Sequence, residues 1–291
     1  MEGDNKALQI SALSLGLLIF GAACIATELF WARKPLIPVH LLLKELGLYC
    51  LIQFLFHSGR TALVVNIIPY FIRVEGASDF LSSMMYVQVA VGVSVGGVIS
   101  SLIIKRCVVL DMFSTDIGLD INSTGRYKTM AVVSLIITIL SFLLIFLSWR
   151  DGCTLWESSI LFFVGLAPGI LFSSLFIGMS NSSATDCIAS CIGTFYLSQQ
   201  LGIIVGSACG SALIQGLFKM NLAAQMEGTS YWKDIPNILN DVKFSQTLPP
   251  PEQELVKSSY LASFQYVPVF AAATTLTTLP IFLCLKEKRL E

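Results

Sequence analysis

The stretch Gly92–Arg106, GVSVGGVISSLIIKR, taken up again at Thr124–Lys128 as TGRYK, decides how this sequence folds. Its first part is uncharged, apolar and studded with glycine, and it ends on a basic pair. A second apolar run leaves TGRYK at once, beginning near Met130. Two such runs flanking a basic loop predict two membrane-crossing helices joined on one face of a bilayer.

The same pattern recurs along the chain. Phe80–Ile104, Thr129–Trp149, Ser158–Thr185, Cys187–Phe218 and Ser258–Leu285 carry no charged side chain. A bilayer core of roughly 30 Å is crossed by about 20 helical residues, so each run is long enough. Only 13% of residues are charged and the mean hydropathy is +0.76, which excludes a soluble globular domain. The reading is an all-α integral membrane protein with seven spans. The first is about 8–27, within a segment 1–45 that ends in a proline-containing turn. The others are about 46–72, 80–104, 130–147, 160–180, 188–217 and 260–285, with one extended loop at 219–257.

Basic residues set the expected orientation. Arg33, Lys34, Lys44, Lys105, Arg106, Arg126, Lys128, Lys286, Lys288 and Arg289 fall on one side, against Lys6, Arg73 and Arg150 in short segments on the other. The C-terminus is therefore expected to be cytoplasmic and loop 219–257 extra-cytoplasmic. The triplets at Asn122 and Asn181 then face the cytoplasm and are expected to carry no glycan. MEGDNK lacks a basic n-region, so no cleavable signal is expected.

Three spans carry small residues every fourth position: Gly92/Gly96/Ser100, Gly165/Gly169/Ser173 and Gly202/Gly206/Gly210. Such stripes let helix backbones approach closely in lipid. Polar residues inside spans are the candidates for function. Gln53, His57 and Arg60 recur at i, i+4 and i+7, on one helical face. A cation deep in a span costs about 2.5–3.5 kcal/mol on insertion scales, so Arg60 is expected to face protein or a wet cavity. It lines a substrate path with His57 and Gln53, or it makes a purely structural bond or snorkels to an interface. Tyr196, Gln199 and Gln200 form a second stripe, open to solute binding or interhelical bonding. Asn66 stands nine residues from His57, on the opposite face unless the helix breaks, and Pro69 allows a break. Asp186 reads as a helix cap.

Nothing points to an enzyme, a cofactor, a metal or nucleic acid. There is no glycine loop followed by lysine, no HExxH, and His40 and His57 are the only histidines. The eight cysteines fall mostly in or beside apolar runs, where a thiol packs as a small hydrophobe; Cys187 and Cys191 lack accompanying ligands.

Several segments together resemble the carboxy-terminal half of major facilitator superfamily transporters of the fourteen-helix drug:proton antiporter branch, and most of all fungal vacuolar basic amino acid transporters. They are Arg33–Pro38 (RKPLIP), Gly76–Ser78, GVSVGG at 92–97, and the cytoplasmic loop motif Lys105, Arg106, Gly125, Arg126 and Lys128. Tyr196-Leu197, Leu201-Gly202 and Lys286–Lys288 complete the set. The resemblance implies that 1–45 holds a linker helix and that 46–291 is the C-terminal six-helix bundle, built from two inverted three-helix repeats. It implies secondary transport of small organic cations or basic amino acids by proton antiport, at a vacuolar or plasma membrane, with protons and the N-terminal bundle as partners.

Three departures accompany it. The N-terminal bundle is absent, and with it one wall of the substrate path. Seventeen residues, Cys107–Ser123, separate the basic pair from TGRYK and bring Asp111, Asp116 and Asp120 into a loop expected to be basic; an insertion or a translated intron accounts for them. Similar transporters tend to carry arginine where Gln199 stands. The alternatives are a drug exporter of the same branch and a non-transporting remnant or interaction partner. A seven-helix receptor matches the span count alone.

Overall fold

The computed structural model describes residues 45–117, 126–154, 156–183, 187–226, 232 and 234–285, with short helical pieces at 15–16, 19–23, 26–27 and 42. Side chains at 106–117 and 126–127 are outside that description. So are most of the expected first span, the Arg33–Pro38 segment, Gly125 and Asp186.

Regular structure among the described residues is helical throughout. The helices are α1 (Glu45–Val65), α2 (Ile67–Val74), α3 (Asp79–Ile117), α4 (Arg126–Ser148), α5 (Ile160–Ser182), α6 (Ile188–Met226), α7 (Ile235–Asn240), α8 (Pro250–Phe264) and α9 (Tyr266–Cys284). Six spans are long and apolar enough to cross a membrane: α1 with α2, then α3, α4, α5, α6, and α8 with α9. Alternating spans put Glu75, Asp79 and Trp149 on one side of the bundle, and Lys128 and Leu285 on the other.

Two spans break where proline dictates. Pro69 has no N–H for the Val65 carbonyl, and α1 ends at Val65; Pro268 has none for the Phe264 carbonyl, and α8 ends at Phe264. Several boundaries differ from the sequence reading. Cys107–Ile117, expected as loop, prolongs α3, because no glycine or proline interrupts the chain before Gly118. The polar stretch after Phe218 begins as helix: α6 runs on to Met226, burying Phe218, Leu222 and Met226 at four-residue intervals. At 39 residues each, α3 and α6 are about 58 Å long, well beyond the bilayer core. The loop 219–257 therefore holds helix at both ends and α7 within it.

The spans pair by a rule. The most extensive contacts are α3 with α5 and α1 with α6; α4 then packs on α5, α9 on α1, and α9 on α4. Replacing each of the first three spans by the one three places later turns these five pairs into themselves, although α8 also packs on α6, a contact whose counterpart between α3 and α4 is slight. An odd number of crossings per unit makes the two units opposite in direction.

The glycine stripes form the two main contacts. A methyl added at Gly202, Gly206 or Gly210 of α6 would overlap backbone at Phe54, Ser58 or Ala62 of α1. One at Gly92 or Gly96 of α3 would overlap backbone at Phe162 or Leu166 of α5, and Gly165 and Gly169 meet Val89 and Val93 in return. Each four-residue step on one helix matches a four-residue step on the other, so both pairs run parallel and nearly in register. In lipid, where apolar burial adds little, close backbone approach is what such packing gains.

Candidate functional site

The buried apolar side chains form two clusters, one toward each membrane face. Leu46, Ile52, Leu135, Leu175, Phe195 and Phe282 belong to one; Leu63, Phe142, Val164, Ile214, Phe264 and Ala271 belong to the other. Between them lies a layer of small and polar residues that every central helix crosses. It contains His57, Ser58 and Thr61 of α1, Thr138 and Ser141 of α4, Ala167 to Gly169 of α5, the α6 glycines, and Thr275 and Thr278 of α9.

Most polar groups in this layer are occupied locally. Thr138 donates to the Ser134 carbonyl at 2.9 Å, Ser141 to Ile137 at 2.8 Å, Thr275 to Ala271 at 2.8 Å and Thr278 to Thr275 at 2.6 Å. A short hydroxyl reaches its own helix backbone and needs no outside partner. Longer side chains cannot do the same. Both side-chain atoms of the Gln53 amide, Nδ1 of His57, Nε of Arg60 and Oε1 of Gln199 are buried without a protein hydrogen-bond partner among the described residues.

Gln53 and His57 are 1% and 5% exposed, and Arg60 is half-buried. They share a face of α1 distinct from the Phe54, Ser58, Ala62 strip that meets α6 and from Gly59, which meets Ala271 and Thr274 of α9. The His57 ring stands edge-on to Phe56 at 5.4 Å. A buried polar atom left unpaired costs about 1–3 kcal/mol, more when charged. Gln53, His57 and Arg60 set three such side chains in a row on one face of α1.

The remaining candidates separate. Asn66 sits at the break between α1 and α2, buried, its amide spent on the Ala62 carbonyl. The α6 stripe divides: Gln199 turns inward, while Tyr196, 44% exposed, leans on Phe172 at 5.7 Å and Gln200 is exposed. In the loop motif, Lys105 is exposed and Lys128 caps the end of α9, donating to the Leu285 carbonyl at 2.9 Å and lying 3.5 Å from that of Leu283. That is the favoured place for a cation at a helix C-terminus. No group of three or more metal-ligating side chains occurs among the described residues.

Arg73 is the residue that sequence reading undervalued. It closes α2, and its guanidinium donates to the carbonyls of Ile238 at 2.8 Å and Leu239 at 3.2 Å. It lies over the rings of Phe218 and Tyr260, 5.0 and 5.3 Å from their centroids. All four partners are distant in sequence, and the only local sign was a lone arginine beside an apolar helix end.

Comparison with known proteins agrees with a membrane assembly of this kind. The chain is 23% identical over 256 residues to a vacuolar membrane amino acid uptake transporter of Schizosaccharomyces pombe, an alignment covering 85% of this chain and 40% of the relative. It is 21% identical over 296 residues to an MFS siderochrome iron transporter of Aspergillus fumigatus, covering 95% of this chain and 44% of the relative. No family model matches. The chain spans less than half the length of either relative, both of which are named as transporters and not as enzymes. These similarities relate it to fungal membrane transporters.

Proposed function

We propose that the chain works in secondary active transport, as a six-span wall of a path for small organic cations or basic amino acids, with proton exchange as the driving reaction. The observation that carries this reading is the middle layer of the bundle. His57 and Arg60 there, with Gln53 and Gln199 a turn or more toward the Lys128 side, hold buried polar atoms without a hydrogen-bond partner among the described residues. Arg60 offers a guanidinium to the carboxylate of an amino acid, in the paired geometry that guanidinium favours. Gln53 and Gln199 offer donors and acceptors without charge, and so tolerate a cationic side chain. His57 adds a ring nitrogen, Nδ1, that has no protein partner among the described residues and can exchange a hydrogen bond with a solute.

The inverted pairing of the two three-span units supports the same reading, since transporters built from inverted repeats place their sites near the midplane. A second bundle, corresponding to the N-terminal part of longer transporters, supplies the other wall. The vacuolar or plasma membrane, with the C-terminus cytoplasmic, is the setting that the basic residues and the Schizosaccharomyces pombe relative favour. A second reading, transport of an iron siderophore, is favoured by the Aspergillus fumigatus relative.

Uptake of labelled lysine into vesicles carrying the protein together with the second bundle, with and without a pH gradient, tests the proposal. Flux that disappears when the gradient is collapsed supports it, and flux of an iron siderophore in place of lysine selects the second reading. No gradient-dependent flux of lysine, siderophore or cationic drug assigns the chain to a non-transporting role.

A further inference from the structure

The Asp79 side of the bundle is crossed by a segment that transport chemistry leaves unused, residues 234–247. It contains α7, a link through Asp241 to Lys243, and a 3-10 turn at Phe244–Thr247. At six residues, α7 is far too short to hold itself as a helix in water. Its order comes from what it touches. Ile235 and Ile238 are buried with Phe218, Leu222 and Met226 of α6.

Three polar contacts tie the segment back to α2 and α3. Arg73 donates to Ile238 and Leu239 at 2.8 and 3.2 Å, Lys243 pairs with the Asp79 carboxylate at 2.6 Å, and the Gln246 amide lies 3.3 Å from the Ile72 carbonyl. They are unequal. The Asp79–Lys243 pair is exposed on both sides, where solvent screens it. The Gln246 contact is long. The Arg73 guanidinium is half-buried, bridges two carbonyls and faces two aromatic rings, so charge-assisted bonds and cation–π attraction act together.

We propose that segment 234–247 is a strap that opens and closes as a unit over this mouth of the bundle while the spans stay packed, and that Arg73 is its latch. At its far end the strap meets α8: Leu248 is extended at ψ 157° and Pro249 follows, and the Gln253 amide of α8 donates to the carbonyls of Gln246 and Leu248 at 3.0 and 2.7 Å. The latch itself rides on α2, the piece of its span set off from α1 by the break at Asn66. The strap is thereby coupled to the helix that carries Gln53, His57 and Arg60, although its opening can be observed whatever the solute is.

Amide hydrogen exchange of the full chain in lipid nanodiscs tests the proposal. In the unmodified protein the amides of 234–247 exchange together and faster than those of α6 and α8. Exchange at the same rate as α6 and α8 shows that no separate opening exists and overturns it. In Arg73→Ala the strap exchanges roughly tenfold faster or more, given the strength of the charged bonds removed, with the spans unchanged. Asp79→Asn changes it less than about threefold, as a screened pair should. Added methylguanidinium restores protection to Arg73→Ala, and methylammonium at equal concentration does not. Strap protection unaltered by Arg73→Ala, acceleration spread evenly through the spans, or equal rescue by both cations rejects the latch.

Discussion

The side-chain amide of Asn66 donates at 2.7 Å to the carbonyl of Ala62, the acceptor that the Asn66 backbone N–H relinquishes by bonding to Leu63 at 3.0 Å instead. One side chain thus repairs the helix at the point where Pro69 forces it to break. Asn66→Ala leaves a buried carbonyl unpaired and is expected to cost about 1–3 kcal/mol. Asn66→Asp, which keeps the shape and loses the donor, is expected to cost at least as much. Thermal unfolding in detergent measures both, and an unchanged midpoint in either variant removes Asn66 from this role.

Gly206→Ala is expected to push α6 away from Ser58 of α1, whose carbonyl occupies the space that a methyl would need. Overpacking of this kind costs about 1–3 kcal/mol. Gly97→Ala is the control: nothing lies within 4 Å of the added methyl, so its midpoint should stay put or rise slightly. Equal effects from the two substitutions would show that the helix pair tolerates separation.

Arg60→Ala is expected to lower gradient-driven uptake by about tenfold, the loss of one charged hydrogen bond to solute, while the protein still inserts and purifies. Arg60→Lys, which keeps the charge but loses the planar fork, should fall between. Uptake rates indistinguishable from the parent would return Arg60 to a structural role.

Cys153 lies in the loop between α4 and α5, outside the spans, with its thiol pushed up to about 12 by burial first and then by the carboxylates of Glu157 and Glu75. A raised thiol pKa keeps sulfur protonated, and the thiolate is the reacting form. Alkylation of the fragment carrying Cys153 should be slow near neutral pH and climb through the alkaline range. Glu75→Gln should speed it by removing one negative charge. A rate that levels off near the ordinary thiol range contradicts this environment.

Much of the fold was legible because its main contacts are written locally. The glycine periods at Gly92/Gly96, Gly165/Gly169 and Gly202/Gly206/Gly210 named the helix faces that meet, although nothing in them said that α1 rather than α4 receives α6. Pro69 announced the break that Asn66 completes. The candidate row Gln53, His57, Arg60 was visible from charge inside an apolar run. Its distinction from the threonines and serines of the same layer needed geometry, since it rests on which side chains reach their own backbone. Arg73 escaped notice because its acceptors lie 165 and 166 residues away. The end of α6 was legible in principle from Phe218, Leu222 and Met226, but polar neighbours masked that period.

The pairing of α1 with α6 has a consequence for synthesis. The span that carries a histidine and an arginine enters the membrane first among the six, and the surface that seals its Ser58 strip is not made until Gly202–Gly210 has left the ribosome. In the interval the Ser58 strip of α1 must be sheltered by the insertion machinery or by provisional neighbours. Substitutions that slow the emergence of α6 should therefore lower the yield of inserted protein without changing the stability of the molecules that do assemble.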